Sequence, residues 1–216
     1  MHVSLVIPAK GTSERVKNKN LIAINGKTLV RLACEKALRC AEVDAVYLDS
    51  ESEAIIRDVK DLEKKGLNII KRPNELADNG IGANEMMMYA LHQVDETDLL
   101  CQTFCTSPLI SEKTIDNCIL RFRESEHDSF LTVLKTQEYF WIDGKPLNYD
   151  LVNVPNSFDL EPYLMETHGL YGITVPALLK LKTRIGKNPL LVPISKIESI
   201  DINEPDDVEI VRKFLQ

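Results

Sequence analysis

The sequence predicts an α/β fold, a single three-layer α/β/α domain over residues 1–216 with a mainly parallel sheet. Three observations lead there. Short apolar runs take turns with segments whose apolar residues recur at helical spacing, from the first residues to the last. Neither a repeat nor a low-complexity linker divides the chain. A length of 216 residues with 44% hydrophobic content is enough for one full core of ordinary soluble type.

Taken in order, "HVSLVIPA" is the first strand, and "KTLVRLACEKALRC" places Leu29, Leu32, Ala33 and Ala37 at helical spacing. "VDAVYLD" is a strand, "SEAIIRDVKDLEKKG" a helix closed by Gly66, and "LNIIKR" a strand, so the chain opens β-α-β-α-β. "GANEMMMYALHQV" reads as a helix, "DLLCQTFC" as a strand, and "SEKTIDNCILRFRES" as a helix capped by the Ser111 hydroxyl. "SFLTVLKT" and "GLYGIT" are strands, "PALLKLK" a helix that begins on its proline, and "PLLVPIS" a strand. "EPDDVEIVRKFLQ" closes the chain as a helix opened by Pro205, with acidic residues crowding its first turn. Parallel neighbours need helix-length crossovers, which is why this alternation implies a parallel sheet covered on both faces.

The stretch from Gln137 to Met165 breaks the rhythm. It gathers Tyr139, Phe140, Trp141 and Tyr149 with Pro146, Pro155 and Pro162, and shows no clear period. Irregular stretches of this length inside a compact domain are usually functional or covered by something, so 137–165 is the candidate lid or subunit contact.

Composition narrows the function classes. A formal net charge of -7 argues against general affinity for nucleic acid or acidic membrane, which are bound by excess Lys and Arg. No apolar segment is long enough to span a membrane, and "MHVSLVIPAKG" lacks a charged leader or cleavage site, so a cytoplasmic location is expected. The five cysteines, Cys34, Cys40, Cys101, Cys105 and Cys118, lack the paired spacing of a zinc site and are expected to be reduced core thiols.

Against that acidic total, the loop after the first strand is basic: "IPAKGTSERVKNKNL" carries Lys10, Arg15, Lys17 and Lys19 around Gly11. Ligands of open parallel sheets bind beyond the carboxyl ends of the strands, and this loop lies there. Cations around a glycine-containing turn suit a polyphosphate, because side-chain charge and backbone N–H groups replace its hydration. Neither Gly-x-x-x-x-Gly-Lys-Ser/Thr nor Gly-x-Gly-x-x-Gly occurs, which excludes the two standard phosphate loops. A solvated basic turn is the bland alternative.

At this loop the chain resembles the acylneuraminate (CMP-sialic acid) cytidylyltransferase family, which activates nonulosonic acids. "PAKGTSERVKNKN" is similar without a gap to that family's Pro-Ala-Arg-Gly-Gly-Ser-Lys-x-x-x-x-Lys-Asn. The likeness continues in order through "INGKTLV", "VYLDSESEAI", "KRPNELADN", "CTSPLI", "METHGLYGIT" and "IDINEPDDVEI". It implies a Rossmann-like nucleotidyltransferase that transfers CMP from CTP to the anomeric hydroxyl of a 2-keto sugar acid with release of pyrophosphate. It also implies a homodimer in which the 137–165 extension packs on the partner subunit, with CTP and a sugar acid as ligands and Mg²⁺ as cofactor.

Residue by residue, the resemblance makes Lys10 and Lys19 the cations on the triphosphate, helped by Ser13 and the amides around Gly11. Ala9, Arg15, Asn20, Arg72 and Asp78 are its further nucleotide candidates. On the acceptor side it offers Phe104, Ser107, Glu166, His168 and Tyr171, and for the metal Asp201 and Asn203. The chain departs from the pattern at Lys10, Thr12 and Glu14 in the loop, and at Phe104 and Ile110, apolar where the family has glutamine and arginine. Asn203 replaces a second aspartate, which removes a negative charge from a hard-cation site. Two other readings stay open: a non-catalytic nucleotide-binding relative, and a nucleotidyltransferase for another sugar or base.

Overall fold

A computed structural model describes residues 1–78 and 80–215. Asn79, which ends the "KRPNELADN" match, and Gln216, which ends the closing helix segment, lie outside the described residues. The strands are β1 (Val3–Pro8), the paired β2 (Ala23–Ile24) and β3 (Lys27–Thr28), β4 (Ala45–Ser50), β5 (Leu67–Lys71), β6 (Leu99–Thr103), β7 (Ser129–Thr136), the paired β8 (Trp141–Ile142) and β9 (Lys145–Pro146), β10 (Tyr163–Thr174) and β11 (Pro189–Pro193). The helices are α1 (Leu29–Ala37), α2 (Glu53–Asp58), α3 (Ala83–Leu91), α4 (Glu112–Arg123), α5 (Val175–Leu181) and α6 (Pro205–Phe214).

The main sheet has seven strands in the order β11-β7-β10-β6-β1-β4-β5. Every neighbouring pair is parallel except those made by β10, which runs against both β6 and β7. Alternation along β1 sorts the core into two layers: Val3, Leu5 and Ile7 join α1, α2, α4 and α6, whereas Val6 faces α3 and α5. A third cluster, Leu131, Val133 and Tyr171 with Phe104 and Ile185 against it, packs under the β7–β10 pair. The three-layer architecture follows from this division. All five cysteines are free and buried.

β10 is pressed close to its neighbours. A Cβ at Gly172 would stand 2.1 Å from the Phe130 ring, so only glycine lets that ring come this close to the strand. Between Glu166 and Tyr171 the register with β7 shifts. Thr132 fills the gap, bonding the Thr167 hydroxyl at 2.7 Å and the Leu170 N–H at 3.0 Å. Such a bulge re-aims side chains, and here it carries His168 toward the C-terminal loop.

Three expectations change. The helix expected over 52–66 divides into α2 and a 3-10 segment, Lys60–Lys65, because the Asp58 carbonyl accepts from the Arg31 guanidinium and the ladder is broken there. The irregular segment is shorter than 137–165, since Tyr163, Leu164 and Met165 already belong to β10. It also contains the β8–β9 hairpin, turned by Asp143 and Gly144 at φ 49 and 73, a left-handed pair that Asp-Gly favours. No helix among the described residues is long and apolar enough to cross a membrane.

Candidate active site

The basic loop leaves β1 at the carboxyl edge of the sheet, beside β4 and β6. Its first residues are held by the neighbouring strand: Ala9 N–H donates to the Asp49 carbonyl at 2.9 Å and Gly11 N–H to Glu51 Oε1 at 2.6 Å. A Cβ on Gly11 would meet Ser52 Cβ at 2.8 Å, so the loop can lie this close to the start of α2 only with glycine there. Asn20 closes the turn by donating to the Lys10 carbonyl at 2.9 Å.

Beneath it lies a buried ion pair. Arg72 Nε donates to Asp49 Oδ1 at 2.9 Å and Nη2 to the Asp49 carbonyl at 2.9 Å, with Glu51 Oε2 3.9 Å from Nη1. The two partner side chains are only 3% and 1% exposed. Burial raises the Asp49 pKa above the ordinary aspartate value, and the bond from Arg72 opposes that rise.

The C-terminal loop meets the basic loop from the other side. Ile202 N–H donates to the Thr106 carbonyl at 2.8 Å, and Lys19 Nζ reaches the Ile202 carbonyl at 2.8 Å. Burial lowers the Lys19 pKa, while Asp201 pulls it back up. Arg15 Nη2 donates to Asn203 Oδ1 at 2.5 Å, and Asn203 Nδ2 donates to Asp201 Oδ2 at 2.7 Å. His168 Nδ1 stands 3.5 Å from the same Asp201 oxygen. Asp201 Oδ1 is buried without a hydrogen-bond partner.

These walls enclose a cavity of about 330 Å³. Of the sequence candidates, Lys10, Ser13, Lys19, Asn20, Arg72, Phe104 and His168 line it. Ala9, Gly11, Arg15, Asp201 and Asn203 are outside its lining and belong to the hydrogen-bonded surroundings described above. Tyr171 is fully buried behind Phe104, the ring centroids 6.2 Å apart at 87°. Its hydroxyl donates to Glu166 Oε1 at 2.5 Å, and burial together with that bond raises its pKa. Glu166 borders a neighbouring cavity of about 620 Å³. Ser107 is buried in the turn after β6, its N–H on the Phe104 carbonyl. Asp78 is exposed and accepts from Gly80 N–H at 2.7 Å, which makes it a turn former outside the cavity lining.

Four contributors are not among the sequence candidates. Glu51 holds Gly11, and only the parallel register of β1 and β4 brings the two together. Gln102 lines the cavity from β6 and is 2% exposed, yet its Oε1 has no partner. Met86 approaches from α3. Arg184 comes from the loop after α5 and lines both cavities.

Among the described residues no three His, Cys, Asp or Glu side chains cluster to cage a metal. The donor set fits a magnesium ion that takes one carboxylate from the protein and the rest of its shell from phosphate and water, the usual magnesium arrangement. Asp201 Oδ1, buried and unpartnered, is the oxygen that suits it. The Asn203 oxygen is turned to Arg15 and its N–H₂ to Asp201.

The family model described as "Cytidylyltransferase" matches residues 4–180. A Helicobacter pylori protein named pseudaminic acid cytidylyltransferase and UDP-2,4-diacetamido-2,4,6-trideoxy-beta-L-altropyranose hydrolase is 21% identical over 210 residues, 94% of this chain and 40% of its own length. A 3-deoxy-manno-octulosonate cytidylyltransferase of Hydrogenovibrio crunogenus is 29% identical over 128 residues, 59% of this chain and 50% of its own length. An N-acylneuraminate cytidylyltransferase of Streptococcus agalactiae is 20% identical over 219 residues, covering 94% of this chain and 50% of its own length. The chain thus spans about half the length, or less, of these relatives. Among solved structures, a CMP:2-keto-3-deoxy-manno-octonic acid synthetase complexed with CTP superposes with a TM-score of 0.73 at 18% identity, covering 100% of this chain and 98% of that one. The 4-diphosphocytidyl-2C-methyl-D-erythritol synthase of Anaerococcus prevotii gives 0.73 at 15% identity, covering 100% and 96%. At these identities the structures share the fold.

Proposed function

Because the chain belongs to the cytidylyltransferase family, we propose that it transfers CMP from CTP to the anomeric hydroxyl of a sialic-acid-like 2-keto sugar acid. The acceptor oxygen bonds to the α-phosphorus and its hydroxyl proton passes to water, the bond from that phosphorus to the bridging oxygen of the β-phosphate breaks, and pyrophosphate leaves with the charge. Lys10 and Lys19, with Ser13 and the backbone around Gly11, face the triphosphate and neutralise the charge that grows on the leaving group. Asn20 and Arg72 line the nucleotide side, where the Asp49–Arg72 pair keeps the cavity wall rigid. Phe104 and His168 line the acceptor side.

Asp201 would hold magnesium through Oδ1, and the ion when bound adds positive charge beside the phosphates. His168, beside Asp201 Oδ2, positions that carboxylate. The basic loop of this acidic chain, closed over a cavity by Lys19 on the C-terminal loop, carries the proposal. We further infer a homodimer: Trp141, Ile142, Leu151, Val152, Val154 and Phe158 are each exposed on the extension, and apolar side chains exposed in one segment suit a covered contact.

The test is a pyrophosphate-release screen of the nucleoside triphosphates against N-acylneuraminate, pseudaminate and 3-deoxy-manno-octulosonate with Mg²⁺. Release with CTP and one of these acids, and with no other triphosphate, is expected. Nucleotide binding without release would support the non-catalytic reading instead.

A further inference from the structure

Arg184 is the cavity cation to which the nucleotide assigns no task. It lies beyond the residues that the family model matches, 4–180. Its N–H donates to Asn84 Oδ1 at 2.9 Å, which ties its loop to the start of α3. The guanidinium carbon sits 3.9 Å from the Tyr171 ring centroid, and only 16% of the side chain is exposed. Nη2 makes both side-chain bonds, to Glu166 Oε1 at 3.0 Å and to the Tyr171 hydroxyl at 3.2 Å. Among the described residues the N–H groups of Nε and Nη1 have no hydrogen-bond partner.

A guanidinium fixed by stacking, largely dry and still holding donors, is prepared for an anion that arrives with the substrate. It stands where the cavities of about 330 and about 620 Å³ share a wall. Around it the same space offers unfilled acceptors: Gln102 Oε1 is buried without a partner, and the Glu166 side chain is 43% exposed. Donors and acceptors together call for a ligand that carries both a carboxylate and hydroxyl groups.

Resting on the reading in the preceding subsection, we propose that Arg184 selects the acidic acceptor. Its Nε and Nη1 bind the acceptor carboxylate at the junction of the two cavities, and Glu166 and Gln102 take acceptor hydroxyls. The ligand class is a polyhydroxylated carboxylic acid, held at the carboxylate by a residue outside the family's matched region.

The test compares wild type with Arg184→Gln. Each is given N-acylneuraminate, pseudaminate and 3-deoxy-manno-octulosonate and the matching carboxamides, and binding is read by calorimetry in the presence of a non-transferable CTP analogue. Wild type should bind its preferred acid on the order of 10–100-fold more tightly than the carboxamide, the range for a hydrogen bond to a charged group. Arg184→Gln should lose that preference while its affinity for the CTP analogue is unchanged. Arg184→Lys, with the charge kept and the planar donors lost, should fall between, and it carries the comparison if the glutamine variant does not fold. An unchanged preference in the variants, or no preference or no acid binding in wild type, overturns the proposal. Because binding is read without turnover, failure of the transfer reading shows separately, as absent pyrophosphate release from wild type with every acid.

Discussion

Two regions of the molecule, the surroundings of the basic loop and the extension after β7, are built in opposite ways. Around the basic loop, polar groups are bonded within the chain: Arg72 on Asp49, Gly11 on Glu51, Lys19 on the Ile202 carbonyl. In the extension after β7, apolar surface is exposed, with Phe158 at 73% and Val152 at 88%, although the segment is internally tied by Tyr139 to Pro155 and by Phe140 to Asn148. The first arrangement is complete within one chain and preorganises a site. The second is internally tied and leaves apolar side chains exposed, the arrangement on which the proposed subunit contact rests.

The sharpest way to break this contrast is at the buried pair. Arg72→Met should cost about 3–5 kcal/mol of stability, because it strands Asp49 in the interior. Burial already raises the Asp49 pKa, and without Arg72 nothing opposes it. A carboxyl whose folded pKa lies above the unfolded value, about 3.9, holds its proton in the folded state and loses stability as pH rises through the folded value. The deficit of the variant should therefore be smallest in acid and grow toward neutrality, which denaturant titrations at several pH values would reveal. A flat deficit would mean that the pair is not what holds this wall.

Lys19→Ala should follow, with a loss of roughly 10²–10³ in turnover, the size for one electrostatic stabiliser of a leaving group. Since burial lowers the Lys19 pKa, the charged form is lost at a lower pH than for an ordinary lysine, and kcat/KM should fall on that alkaline side. Lys19→Arg should push this limb upward, as arginine stays charged. Unchanged kinetics in Lys19→Ala would take Lys19 out of the mechanism.

On the extension, Phe158→Asp should weaken self-association by about 2 kcal/mol while leaving the fold intact, the scale of a hot-spot truncation. Sedimentation at several concentrations reads the shift. A wild type that stays monomeric at micromolar concentration would remove the subunit contact from the comparison.

The smallest effect is expected at Asn203. Asn203→Asp replaces an N–H that now donates to Asp201 Oδ2 at 2.7 Å with a like charge, and the paired carboxylates should hold a cation better. The Mg²⁺ concentration for half-maximal activity should fall roughly two- to tenfold, since hard cations respond to ligand charge. Equal metal dependence in the two proteins would place the ion elsewhere.

What could be read without coordinates was what is contiguous. Lys10, Lys19 and Asn20 sit in one short stretch of the sequence, and the alternating runs name the strands and helices around them. Glu51 becomes a partner of Gly11 only through the register of β1 with β4, in which Ile7 faces Leu48. Arg184 is brought to Tyr171 by the direction of β10 and the length of the loop after α5, neither of which leaves a pattern in residue types. The breakdown of helical pattern after Gln137 was legible, but not that Asp143-Gly144 folds part of it into a hairpin or that its apolar residues face outward.

The free cysteines have a use as reporters. Cys34, Cys40, Cys101, Cys105 and Cys118 are all buried on the α1–α4 side of the sheet, and burial pushes the Cys40, Cys105 and Cys118 thiols up to about 12. Only the thiolate reacts, so alkylation at neutral pH must wait for this layer to open. The rate of thiol labelling is thus an intrinsic clock for the breathing of one face of the sheet, readable by mass shift without any introduced probe.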